Sequence, residues 1–151
     1  MRLPLFSSGL AVLLLTPCAA SPQGTSALVG TWQRVSVDTA GVAVQTPAAF
    51  AIYSANGYFS QIGIPTGRPR IAKPLGEMAK EELIARFRNV IAWRGTYRVS
   101  GDTLTRRAVA HTDPMDEGSD LVQRFRITGD TLILLSINSQ SRSELRFVRV
   151  R

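Results

Sequence analysis

Val99-Ser-Gly-Asp-Thr-Leu-Thr105 and Ile127-Thr-Gly-Asp-Thr-Leu-Ile133 are nearly the same phrase, written 28 residues apart. In each, Gly-Asp stands between two runs in which apolar and polar residues alternate, the signature of a tight hairpin. Asn56-Gly57, between Phe50-Ala-Ile-Tyr53 and Tyr58-Phe-Ser-Gln-Ile62, is a third turn of this kind, because both of its residues tolerate positive φ. The recurrence is turn chemistry used twice, not a duplicated functional site.

Working outward from these turns, strands are expected over residues 29–37, 49–55, 58–64, 93–99, 103–111, 120–128, 131–138 and 143–150. Eight mostly adjacent antiparallel strands can close into a barrel with no exposed edge. Its interior has room for packed side chains or one small ligand. The fold class is therefore all-β, an eight-stranded antiparallel up-and-down barrel. One segment breaks the alternation. In residues 77–91, Leu83, Ile84, Phe87, Val90 and Ile91 recur at helical spacing, with Glu77, Glu81 and Glu82 early and Arg86 and Arg88 late, as the helix dipole favours. This predicts one amphipathic helix between the third and fourth strands, its apolar stripe plugging one end of the barrel.

The first residues have the layout of a signal peptide: Arg2, the apolar run Leu10 to Leu15, Thr16-Pro17, then Cys18-Ala19-Ala20. The apolar run is shorter than the roughly 20 residues that span a bilayer as a helix. Cleavage is expected after Ala20, with residues 21–27 a linker and 28–151 the barrel domain, a secreted or periplasmic protein. The alternative is lipidation of Cys18, which Pro17 disfavours because a lipobox carries a small residue there. Cys18 is the chain's only cysteine, so the mature domain is expected to rely on its core and not on disulfides. The net charge is +7, but the basic residues are scattered singly along strand-like segments without clustered aromatics. That pattern suits anionic small molecules or envelope surfaces and argues against nucleic acid.

Leu28-Val-Gly-Thr-Trp32, Ile52-Tyr-Ser-Ala-Asn-Gly-Tyr-Phe-Ser-Gln-Ile62, Gly67-Arg-Pro-Arg70 and Trp93-Arg-Gly-Thr-Tyr-Arg-Val-Ser-Gly-Asp-Thr-Leu-Thr105 together resemble the bacterial and fungal lipocalin-like domain family. The resemblance runs from Leu28 to the C-terminus and implies a lipocalin-like (calycin-like) barrel. It also implies that Trp32, in Gly30-x-Trp32, closes the barrel floor beneath Arg149, a structural role for all three. Where family members often carry a His pair after Gly-Asp-Thr, this chain has Arg106-Arg107. No family-wide activity comes with the resemblance. Some relatives suggest a cyclase or another small-molecule role.

With Gly101-Asp102 and Gly129-Asp130 as central turn residues, Tyr97 should pair with Arg106, Trp93 with Ala110, Phe125 with Leu134 and Gln123 with Ser136, all inward. The Asn56-Gly57 turn should pair Ile52 with Gln61 and Ser54 with Phe59, turning Phe50, Ile52, Phe59 and Gln61 inward. The candidate ligand site thus has apolar walls of Phe50, Ile52, Phe59, Trp93, Phe125 and Leu134 and polar groups Gln61, Tyr97, Arg106, Gln123 and Ser136. The competing expectation is a solid core. An inward arginine without a counterion is costly, which favours a cavity that receives an anion.

Other motifs carry little. His111 is the only histidine, so no nitrogen or sulfur metal site can form, and neither metal nor cofactor is expected. Asp113, Asp116, Glu117 and Asp120 lack calcium-loop spacing. Gly63 to Arg68 lacks the Lys-Ser/Thr of a phosphate loop. The function expected is binding of a small apolar or amphiphilic, possibly anionic, molecule inside the barrel. The alternatives are a cyclase or isomerase acting through Tyr97 and Arg106, or a solid barrel working by its surface.

Overall fold

Both Gly-Asp phrases turn the chain as their chemistry requires. Gly101 and Gly129 have φ of 58° and 56°. Ser100 lies opposite Thr103 and Thr128 opposite Thr131 across the two turns. Tyr97 accordingly faces Arg106, Phe125 faces Leu134, and Gln123 faces Ser136.

The computed structural model describes residues 24–39, 42–44, 49–64, 72–88, 90–136 and 143–151. The expected signal peptide, Cys18, residues 65–71 with the Gly67-Arg-Pro-Arg70 motif, and the tip between the last two strands lie outside the described residues. In chain order the elements are α1 (Thr25–Leu28), β1 (Gly30–Thr39), β2 (Val42–Val44), β3 (Ala49–Tyr53), β4 (Tyr58–Gly63), α2 (Lys80–Phe87), β5 (Ile91–Ser100), β6 (Thr103–His111), β7 (Asp120–Thr128), β8 (Thr131–Ser136) and β9 (Ser143–Arg149). From β3 to β9 each strand pairs antiparallel with the next, β1 pairs with β3, and the sheet closes where β1 pairs with β9. The result is an eight-stranded antiparallel barrel, with β2 a short addition beside Val37–Thr39 of β1. The tight turns after β3, β5 and β7 gather at one end with α1. The connection carrying α2 is at the other.

The Asn56-Gly57 turn differs from expectation by one residue. Ser54 N–H donates to Tyr58 O at 2.9 Å and Gly57 N–H to Ser54 O at 3.1 Å, so the loop is the three residues Ala55-Asn56-Gly57. Gly57, at φ 83°, supplies the left-handed residue that such loops need at their third position. Tyr53 therefore pairs with Phe59 and Ile52 with Ser60. A shift of one residue exchanges the faces of a strand. Ala49, Ala51 and Tyr53 point inward, whereas Phe50 and Ile52 face outward with 36% and 49% exposure.

Two further expectations are corrected. Trp93 lies opposite His111, not Ala110, because Gly95 faces Ala108 while Arg94 faces Ala110, leaving Val109 as a bulge. The helix is only Lys80–Phe87, preceded by a 3-10 turn at Leu75–Glu77, and Glu82 Oε2 accepts the Ala79 N–H at 3.0 Å at its start. None of its residues is buried, and Ile84 and Phe87 stand exposed. Its stripe does not plug the barrel. At Arg88 the backbone leaves the helical region, with ψ 131°, so Val90 and Ile91 drop out of the stripe and Ile91 begins β5 instead.

The barrel is packed from the turn end. Leu28, Trp32, Leu104, Leu132, Leu134 and Phe147 are fully buried, with Tyr53, Phe59, Tyr97 and Phe125 nearly so. Trp32 lies opposite Ala51. The small Ala51 leaves room for the large Trp32 indole across the strand pair.

Candidate functional site

Two Arg–Trp pairs organise the interior, one at each level. At the turn end, the Arg149 guanidinium carbon sits 4.1 Å from the Trp32 ring centroid. Arg149 Nη1 donates to Val29 O at 2.8 Å and Nη2 to Ala27 O at 2.7 Å, while Trp32 Nε1 donates to Leu28 O at 2.8 Å. Gly30, at φ 136°, is required here for two reasons: its backbone conformation, and the 2.5 Å at which a Cβ would meet Arg149 Nη1. The Gly-x-Trp motif thus serves the closed floor.

Deeper in the barrel, Arg106 is 1% exposed. Because the Gly101-Asp102 turn sets Tyr97 opposite Arg106, Arg106 enters the barrel, and Arg107 points outward to Asp120 at 3.2 Å. The Arg106 guanidinium carbon lies 4.4 Å from the Trp93 ring centroid and 5.6 Å from that of Phe59, two cation–π contacts. Nη1 donates to Gln61 Oε1 at 2.8 Å and, more distantly, to Tyr53 Oη at 3.4 Å. Nη2 donates to Gln123 Oε1. Nε is buried with no partner. All three acceptors are neutral. Burial pulls the arginine below its ordinary pKa, an effect that the hydrogen bond to Tyr53 partly opposes. Burial likewise raises the Tyr53 phenol, with Arg106 opposing, so Tyr53 stays protonated.

The surrounding rings fix this geometry. Tyr53 meets Tyr97 edge-on at 5.2 Å and stacks near Phe59 at 6.2 Å, and Phe59 meets the edge of Trp93 at 4.6 Å. Phe125 and Leu134 complete the apolar wall, and Ser136 is half-buried at the end of β8. The structure therefore brings together Phe59, Gln61, Trp93, Tyr97, Arg106, Gln123, Phe125 and Leu134. Phe50 and Ile52 are not in the chamber. Ile52 lines a shallow outer depression of about 200 Å³ with Tyr58, Ser60 and Arg94.

Sequence reasoning missed Tyr53 and Arg34. Tyr53 was hidden by the loop length, although Ala55-Asn56-Gly57 fits a three-residue turn as well as Asn56-Gly57 fits a two-residue one. Arg34 pairs with Phe147, whose side chain is fully buried, and so projects inward. No local signal marks it. Tyr97 is inward, but its hydroxyl donates to Ser54 O at 2.8 Å, so it is Tyr53 and not Tyr97 whose hydroxyl meets Arg106. His111 lies against Trp93, its Nδ1 accepting the Asp113 N–H at 3.0 Å with the Asp116 carboxylate 3.5 Å away. Among the described residues, no cluster of three or more His, Cys, Asp or Glu forms.

This architecture is that of the lipocalin-like proteins. The chain is similar in fold to a lipocalin-like protein from Bacteroides uniformis, with a TM-score of 0.52 and 16% identity over 84% of this chain and 100% of that one. It is also similar to an uncharacterized protein from Bacteroides eggerthii, with a TM-score of 0.51 and 13% identity over 82% and 99% of the two chains. Comparison with family profiles and with curated protein sequences gave no match. At these identities the likeness is one of fold.

Proposed function

We propose that this protein binds a small apolar or amphiphilic molecule bearing an anionic group inside its barrel, with Arg106 as the anion contact. The observation that carries the proposal is the state of Arg106: 1% exposed, with an unpartnered Nε. The ion pairs among the described residues lie elsewhere, such as Arg107 with Asp120 and Lys73 with Glu82. An isolated buried cation costs several kcal/mol in desolvation, which neutral hydrogen bonds and ring faces offset only in part. An entering carboxylate or phosphate could displace the Gln61 or Gln123 side chain and take a charge-assisted, bidentate hold on the guanidinium. The apolar part of the ligand would lie against Trp93, Phe59 and Phe125. The N-terminal sequence, from Arg2 to Ala20, supports export, so the expected setting is the cell envelope or beyond.

Titration with a fatty acid and with its neutral methyl ester tests this. Arg106→Ala should weaken acid binding by about 2 to 5 kcal/mol and leave the ester little changed. Equal losses for acid and ester would sink the anion contact. Native mass spectrometry of protein purified without detergent should show a co-purified anionic species.

A further inference from the structure

We infer that Arg34 is a second anion contact of the same chamber, and that the preferred ligand is a dianion whose two charges stand apart. The inference rests on the proposed anion site at Arg106 and goes further, to the charge pattern of the ligand. In a closed ring of eight strands, β1 stands four strands from β6 in either direction, so Arg34 and Arg106 enter from opposite walls. Arg34 is half-buried where Arg106 is wholly buried, but the two share one feature. Arg34 Nε is buried without a partner, and no ion pair joins it to a described carboxylate. Burial lowers its pKa too.

The two cations sit at different levels. Arg106 Nη1 bonds Gln61 on β4, whereas Arg34 Nη2 lies against Gly63, 3.7 Å from where a Cβ would stand. Gln61 and Gly63 share the inward face of β4. Two residues along a strand advance about 7 Å. Anchors at two levels and on opposite walls suit two charged groups better than one. One charge on the ligand would leave the other guanidinium uncompensated, so two charges joined by an apolar spacer satisfy both.

Calorimetric titration of the full chain with decanedioate, its monomethyl ester and decanoate tests the inference. Wild type should bind the diacid about tenfold more tightly than either monoanion. Arg34→Gln should bring the diacid to within about twofold of the ester while leaving the ester unchanged, and Arg34→Lys should restore part of the preference. Arg106→Gln should weaken all three. If diacid and ester bind wild type equally while Arg106→Gln still weakens both, the Arg34 contact is overturned and the anion site at Arg106 stands. If none of the three binds, or if Arg106→Gln changes nothing, both fall. Far-UV circular dichroism of Arg34→Gln and Arg34→Lys separates a lost contact from a lost fold.

Discussion

The two Arg–Trp pairs look alike and are held in opposite ways. Arg149 over Trp32 donates to two backbone carbonyls, Val29 O and Ala27 O, which the chain itself holds in place. Arg106 beside Trp93 donates only to side chains, Gln61, Gln123 and Tyr53, and keeps one buried N–H free. A backbone acceptor cannot move aside for a ligand. A glutamine amide can, by a change of rotamer that costs little beside a new charge-assisted bond. The floor pair is thus tied to the main chain, whereas the interior pair is held by side chains, the kind of partner that the proposed ligand would displace.

The sharpest way to break this contrast is at the floor. Trp32→Ala should cost about 3 to 5 kcal/mol in denaturant unfolding, as a buried aromatic truncation. If it kept full stability and lost ligand instead, Trp32 would belong to the site. Next in size, Arg149→Met should cost about 1 to 3 kcal/mol by removing the cation–π contact and leaving two part-buried carbonyls without their donor. Arg106→Met, the same change in the chamber, should move unliganded stability by no more than about 1 kcal/mol, because relief of desolvation offsets the lost bonds. A loss as large as that of Arg149→Met would mean that the chamber arginine is structural as well. The smallest effects belong to the outward neighbours. Arg107→Ala and Ile52→Thr should each stay within about 0.5 kcal/mol in stability and binding. A large loss from Ile52→Thr would contradict the three-residue turn before β4.

Much of the architecture is legible in short stretches of sequence. Gly-Asp at 101–102 and 129–130 sets its hairpins correctly because a tight turn is a local affair: the residues that need positive φ and the register they impose are only a few bonds apart. Asn56-Gly57 misleads for the same reason. Its chemistry suits two loop lengths, and Phe50-Ala-Ile-Tyr53 is apolar on both faces, so hydropathy could not choose between them. In the structure the small Ala51 leaves room for Trp32 opposite it. The helix is legible as an element but not in its role, since an apolar stripe does not say whether anything will cover it.

By itself, the sequence determined the strand order, the two Gly-Asp registers and hence the inward turn of Arg106, because alternation and turn chemistry act over a few residues. Only the tertiary structure decided the rest: that Tyr53 and Arg34 turn inward, that Arg149 is tied to the carbonyls of Ala27 and Val29, and that Arg106 finds neutral partners on β3, β4 and β7. Those contacts join residues from 17 to more than 100 positions apart, so no local pattern encodes them. They appear only once barrel closure brings the strands to a common interior.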